Sequence, residues 1–239
     1  VRYIGDKAFA ACTQMTTAII HEGVERLGNL MFLGCERLAD LYLQTGRFQD
    51  AIALMEENRK NDPQNERIGG FIQQIRDMAQ MNGRVAELQA QLGQGSGTLD
   101  NVFELSTLFQ RLGREQPFQE LSMQILNNSN LPPQAYLKVA ELAATPPRWP
   151  LMAEAYRRYV QRQRNDARIW LELACAEVQM GQPDRALESL RQAVVFGGEV
   201  MRDSIRNDRR LDPLRSREAF QKLAPAAAPF APPRGLIPF

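Results

Sequence analysis

Apolar positions in this chain recur at the spacing of helix faces. Ile72, Ile75, Met78 and Met81 form one stripe, and Val85, Leu88 and Leu92 form a second, shorter one. Asn82-Gly83 between them is a turn signal, so 66–98 reads as a helix pair. The glycine-rich run 93–97 reads as a flexible connector that lets two halves change their angle, and Asp100 as the N-cap of the next helix.

Further along, the pattern returns with a fixed period. Leu105-Ser106, Val139-Ala140 and Leu173-Ala174 stand 34 residues apart, and Gly113 and Gly181 align two steps apart. That period is the length of a helix–turn–helix unit. In the last copy Trp170, Leu173 and Ala174 belong to a first helix, Gly181 to the turn, and Ala186, Leu187, Leu190 and Ala193 to a second. The alanines let the two helices approach closely, while Leu187 and Leu190 fill the space between neighbouring units. Leu38, Ala39, Tyr42, Gly46, Phe48, Ala51, Ile52 and Met55 repeat the arrangement, with Pro63 where a second helix must end. Helix is therefore expected at 34–45. Short helices at 199–206 and 216–223, parted by Asp212-Pro213, would close the array by covering the apolar side of its last unit. Residues 224–239 hold five alanines and five prolines and read as an extended tail or linker.

These small, aromatic and glycine positions resemble the tetratricopeptide repeat over 32–223, with 66–98 the copy that departs most. In 133–166 Pro147 stands for the turn glycine and Met152 for the second-helix alanine. The resemblance implies an all-α fold: a right-handed superhelical solenoid of antiparallel helix pairs, divided as an irregular segment 1–31, pairs at 32–98, pairs plus capping helices at 99–223, and the tail 224–239. It also implies that first helices line a concave groove for a protein or peptide ligand. The register puts Glu36, Asp40 and Leu43 in that groove from the first copy, and Phe103, Thr107, Gln110 and Arg111 from the third. Later copies add Leu137, Glu141 and Ala144, then Leu171, Cys175 and Gln179. Chaperone-binding relatives clamp a terminal carboxylate with asparagine and lysine. The matching helices here offer Arg37, Lys138 and Arg111 but no asparagine among the groove positions, so such a clamp is not expected.

The first residues follow another period. Ile4-Gly5-Asp6, Ala8-Phe9, Cys12 and Met15 return 23 residues later as Leu27-Gly28-Asn29, Met31-Phe32, Cys35 and Leu38. This resembles the leucine-rich repeat of bacterial surface proteins, which implies a short strand near 17–20 with Cys12 beneath it. The two patterns conflict at 38–43, which would be strand in one and helix in the other. Residues 1–31 are thus the end of a longer leucine-rich array, a fused stub that is partly disordered, or an atypical helical cap.

Composition changes this picture little. The 44% apolar and 24% charged content suits a globular protein with its own core. Twenty-nine basic against 28 acidic residues give a net charge of +1, which offers nothing for nucleic acid or an acidic membrane to attract. No apolar run reaches the roughly 18–20 residues that span a bilayer. Val1 in first place points to a fragment or a processed product, and the compartment stays open, cytoplasmic or extracytoplasmic.

Reactive groups are sparse. His21 is the single histidine, and with Cys12 or Cys35 it could form a nucleophile pair. Buried repeat cysteines and a surface histidine account for them better. Cys175 sits in a repeat helix as a packing residue. One histidine and three scattered cysteines do not make a transition-metal site, and no cofactor is implied. Gly69-Gly70 and 93–97 lack the spacing and preceding strand of a phosphate loop. Glu56-Glu57 has the spacing of a solvated helix face. Arg206, Arg209, Arg210, Arg215 and Arg217 could hold a phosphate or an acidic peptide, but Asp203, Asp208, Asp212 and Glu218 stand ready to neutralise them.

The sequence thus reads as a non-catalytic interaction scaffold of bacterial type. The alternatives are an accessory or structural domain of a larger membrane or surface protein and, last, an enzyme. Partner identity and oligomeric state are left open.

Overall fold

The computed structural model describes residues 3–4, 26–27, 47–61, 63–64 and 66–225. The chain divides into two compact units, Val1–Leu108 and Phe109–Phe239. The described part is all-α apart from one pair of two-residue strands, β1 (Tyr3–Ile4) and β2 (Arg26–Leu27). The strands run parallel, with Tyr3 opposite Arg26 and Ile4 opposite Leu27. The ladder therefore joins positions one 23-residue period apart, at a place where the sequence reading expected no strand. The strand expected near 17–20 and the helix expected at 34–45 lie outside the described residues, as do the tail from 226 onward, Cys12, Cys35 and His21.

In the first unit α1 (Phe48–Asn61) packs on α2 (Glu66–Gly93). Ala51, Leu54 and Met55 meet Ile72 and Ile75 in one buried cluster, flanked by Phe48, Ile52, Ile68 and Phe71. The turn expected at Asn82-Gly83 does not exist: α2 is one continuous helix of 28 residues. Asn82 turns its amide back onto the carbonyl of Met78 at 2.8 Å, satisfying itself within the helix. The two apolar stripes are real, but they face different ways. At about 100° per residue, Val85 and Leu88 point roughly 140° away from Ile72 and Ile75. One helix buries one face early and another face late.

Beyond α2 the run 93–97 is a hydrogen-bonded stop rather than an open connector. Gly95 has φ +73°, its N–H donates to Leu92, and the N–H of Ser96 donates to Gln91. Helix α3 (Leu99–Arg111) follows, and the division between the units falls inside it. Its cap is Thr98, not Asp100. The Thr98 hydroxyl accepts the N–H of Asn101 at 3.3 Å, and the Asn101 carboxamide oxygen accepts the N–H of Thr98 at 2.8 Å.

The second unit continues with α4 (Glu115–Asn127), α5 (Pro133–Leu142), α6 (Trp149–Arg162), α7 (Ala167–Gln179) and α8 (Pro183–Asn207). A 3-10 segment (Arg209–Leu214) and α9 (Glu218–Leu223) complete it. Each of α5 to α8 packs on the next, the arrangement of stacked helix pairs. The fold class is all-α, with the helices of the second unit stacked in sequence as the repeat reading expected. The dipeptides that fixed the period are equivalent in depth: Leu105, Ser106, Val139, Ala140, Leu173 and Ala174 are all buried.

Turn chemistry separates the copies. At Gly113 and Gly181, φ is +66° and +68°, and in each turn the glycine N–H and the next N–H close back onto the preceding helix. A side chain would resist that left-handed backbone. The copy between them has prolines instead, and its turn is closed by the N–H of Arg148 on the carbonyl of Ala143 at 2.8 Å. Ala186 and Ala193 are fully buried where α8 lies against α7. Gly198 breaks α8 with φ +60°, so 199–207 is a separate short helix, matching the closing helix expected at 199–206.

Candidate partner-binding surface

Glu36, Asp40 and Leu43 lie outside the described residues. In the first unit, Phe103 and Thr107 of α3 are half-buried, and the Thr107 hydroxyl donates to the carbonyl of Phe103 at 2.9 Å. The remaining positions belong to the second unit. Gln110 donates its amide to the carbonyl of Thr145, tying the end of α3 to the loop after α5. Arg111 and Gln179 are exposed, and Leu137 is half-buried. Glu141 is exposed and pairs with Lys138 one helical turn back, at 2.8 Å. Exposed ion pairs of this kind contribute little to stability and are easily exchanged.

Leu171 and Cys175 are not open as the register led one to expect. Both are buried in a cluster that includes Leu211, Leu214 and Phe220. The 3-10 segment packs on α7, so its leucines cover them. Polar contacts accompany the apolar ones. Arg210 forks onto Glu172, with Nη1 2.7 Å from Oε2 and Nη2 2.8 Å from Oε1. Asp208 accepts from Arg210 at 2.7 Å and from the Cys175 thiol at 3.7 Å. Burial pushes the Cys175 thiol up to about 12, and the hydrogen bond from Arg210 holds the Asp208 carboxyl below its usual range. Tyr156 of α6 is raised by burial and by the nearby Glu172.

Glu172, Asp208 and Arg210 therefore form part of this surface, and the register did not propose Glu172 although it lies between two positions that it did. The contact joins residues 38 apart, so no local pattern could announce it. Four arginines of the cluster, Arg206, Arg210, Arg215 and Arg217, are paired with carboxylates. Arg206 meets Asp203 and Glu199, Arg215 meets Asp212, and Arg217 meets Asp184 on α8 rather than Glu218, which pairs with Lys222. Among the described residues no three histidine, cysteine or carboxylate groups converge as a metal ion would require. Nor, among those residues, is any helix long and apolar enough to cross a membrane.

A sequence model of the tetratricopeptide repeat matches residues 167–194, which are α7 and the first half of α8. These residues carry a tetratricopeptide repeat. Its markers are the buried Leu173-Ala174 pair, the turn glycine at 181 and the buried Ala186 and Ala193 described above. No curated protein matches the chain in sequence. Similar solved structures include one described as the MamA protein, with 16% identity, a TM-score of 0.38, and cover of 66% of this chain and 87% of that one. A second MamA structure has 15% identity, a TM-score of 0.37 and cover of 78% and 90%. YrrB, described as a tetratricopeptide repeat protein with an unusual peptide-binding site, has 12% identity, a TM-score of 0.36 and cover of 68% and 85%.

Proposed function

We propose that this chain is a non-catalytic interaction scaffold that holds a peptide or protein segment along the first-helix face of its repeats. The observation that carries the reading is the tetratricopeptide repeat at 167–194, set in a stack of helix pairs whose small residues are spent on packing and whose first helices keep Arg111, Glu141 and Gln179 at the surface. Repeats of this kind supply an extended binding face rather than a reactive centre. A surface carrying both charge signs and the half-buried Leu137 suits a ligand with mixed polar and apolar side chains.

The test uses the whole chain as bait in a lysate of its own source, with co-eluting proteins identified by mass spectrometry. A stoichiometric partner that is lost from Arg111→Glu and Glu141→Lys, while the helical circular dichroism and melting temperature are kept, supports the reading. A partner bound equally by wild type and both variants refutes this groove.

A second reading, an accessory domain of a larger surface protein, draws on the parallel pairing of Tyr3 with Arg26 and Ile4 with Leu27 at the 23-residue period. In-register parallel strands one sequence period apart are what successive coils of a leucine-rich array would form. Further 23-residue repeats in the coding sequence ahead of Val1 would favour it. A helical far-ultraviolet spectrum for an isolated 1–46 peptide would count against it.

A further inference from the structure

Residues 208–214 occupy the face of α7 that the repeat register assigns to a ligand. That register names Leu171 and Cys175, and both are buried, with Ala174 of the same helix, in one cluster with Leu211 and Leu214, which are 0% and 1% exposed. Between them in sequence stands Glu172, taken by the Arg210 fork. The thiol of Cys175 is taken by Asp208. One short segment thus supplies an arginine for a carboxylate and two leucines for an apolar floor, the contacts a bound peptide would make. It carries its own fold as well: Asp208 accepts the N–H of Arg210 at 2.9 Å and caps the 3-10 turn. Its edges are held by exposed ion pairs, Arg215 with Asp212 and Arg217 with Asp184. Upstream, the break at Gly198 separates the short helix 199–207 from the rest of α8. Release of the segment exposes Leu211 and Leu214, which share their cluster with Met201, Ile205 and Phe220, so a ligand that displaces it must replace those apolar contacts as well as the Arg210 fork.

We propose that 208–214 is an intramolecular ligand of the groove. The external ligand it gives way to has the same chemistry: an arginine followed directly by a leucine, with a second leucine three residues further on. The proposal rests on the groove reading given above and names the partner class for it.

The probe is a fluorescein-labelled peptide of the sequence 207–216, titrated into the full chain and followed by anisotropy. Arg210→Ala removes an exposed side chain and loosens the segment. This variant is expected to bind the peptide at least tenfold more tightly than wild type, and adding Glu172→Arg is expected to abolish the gain. Hydrogen exchange on the wild-type chain serves as the second measurement, independent of any variant's folding. Amides of 209–214 are expected to exchange at least tenfold faster than those of α7. Equal exchange in the two segments would overturn the proposal, because 208–214 would then be a fixed part of the core. So would a folded Arg210→Ala chain with no gain in peptide affinity. Either failure leaves the groove reading standing if a natural partner is still lost from Glu141→Lys. Indifference of that partner to Arg111 and Glu141 removes the groove itself.

Discussion

Ser189 donates its hydroxyl to the carboxylate of Glu177 at 2.7 Å, and both residues are buried between α7 and α8. The other carboxylate oxygen accepts from Arg157 of α6 at 3.3 Å, so one acidic side chain ties three successive helices together. A buried hydroxyl or carboxylate that loses its partner keeps its desolvation cost. Glu177→Ala is therefore expected to destabilise the chain by about 2–3 kcal/mol, and Ser189→Ala by about 1 kcal/mol. The double variant should lose less than the sum, since both changes remove one shared contact. Urea denaturation of the four chains measures this, and strictly additive losses would show that the two side chains do not depend on each other.

Glycines in helices separate two effects cleanly. A Cβ at Gly83 would meet nothing within 4 Å, and the residue is helical within α2. Gly83→Ala is expected to stabilise by about 0.5–1 kcal/mol through reduced freedom of the unfolded chain. A Cβ at Gly197 would stand 2.6 Å from Cβ of Met201 and 2.9 Å from Cβ of Ala167. Gly197→Ala is expected to cost about 1–3 kcal/mol, because α8 must back away from the start of α7. Opposite shifts of the urea midpoint are the predicted result, and shifts of the same sign would contradict this account of Gly197.

The same contrast explains what was legible in the sequence. Leu105-Ser106, Val139-Ala140 and Leu173-Ala174 announced their burial because the packing of a helix pair recurs locally at a fixed period. Gly181 announced its turn because few residues accept its backbone. Asn82-Gly83 misled because a turn signal reports local preference only. Here Asn82 is satisfied inside the helix, and the change of apolar face that suggested two helices reflects a rotation of the buried side along one. The cap at Thr98 was missed by two residues for a related reason: Thr98 and Asp100 are both good cap types, and the reciprocal contact with Asn101 decides between them. The closing helices expected at 199–206 and 216–223 do bring Met201, Ile205 and Phe220 into the cluster of Leu171 and Cys175, but the part played there by Leu211 and Leu214 could not be read. It depends on where 208–214 comes to rest, and nothing within either segment specifies the other.

Cys175 provides a kinetic probe of that covering. Its thiol is 2% exposed and pushed up to about 12 by burial, so at pH 8 almost none of it is thiolate. In a Cys12→Ser/Cys35→Ser chain, reaction with a disulfide reagent is expected to be at least about a hundredfold slower in buffer than in 6 M urea, because only the thiolate attacks. Arg210→Ala is expected to speed the native reaction while leaving the urea rate unchanged. A native rate as fast as the unfolded one would mean that the face of α7 is open in solution.

Acid should find the contact between α4 and α6. Arg148 places Nη2 2.6 Å from Oε2 of Glu115, and its guanidinium carbon lies 4.5 Å from the centre of the buried Phe118 ring. The hydrogen bond from Arg148, seconded by one from Gln119, holds the Glu115 carboxyl down to about 2. A carboxyl depressed in the folded state stabilises above its unfolded value, and that stability is lost as pH falls through the folded value. The window therefore runs from the ordinary range near 4.5 down to about 2. Glu115 is about half exposed, so solvent and salt screen the pair, and its contribution at neutral pH is about 0.5–1 kcal/mol. Glu115→Gln is expected to lower the melting temperature at pH 7 and to flatten its fall between pH 4.5 and pH 2, with both effects shrinking in 1 M salt. Curves for wild type and variant that run parallel through that window would show that Arg148 holds α4 through its stacking on Phe118 and not through its charge.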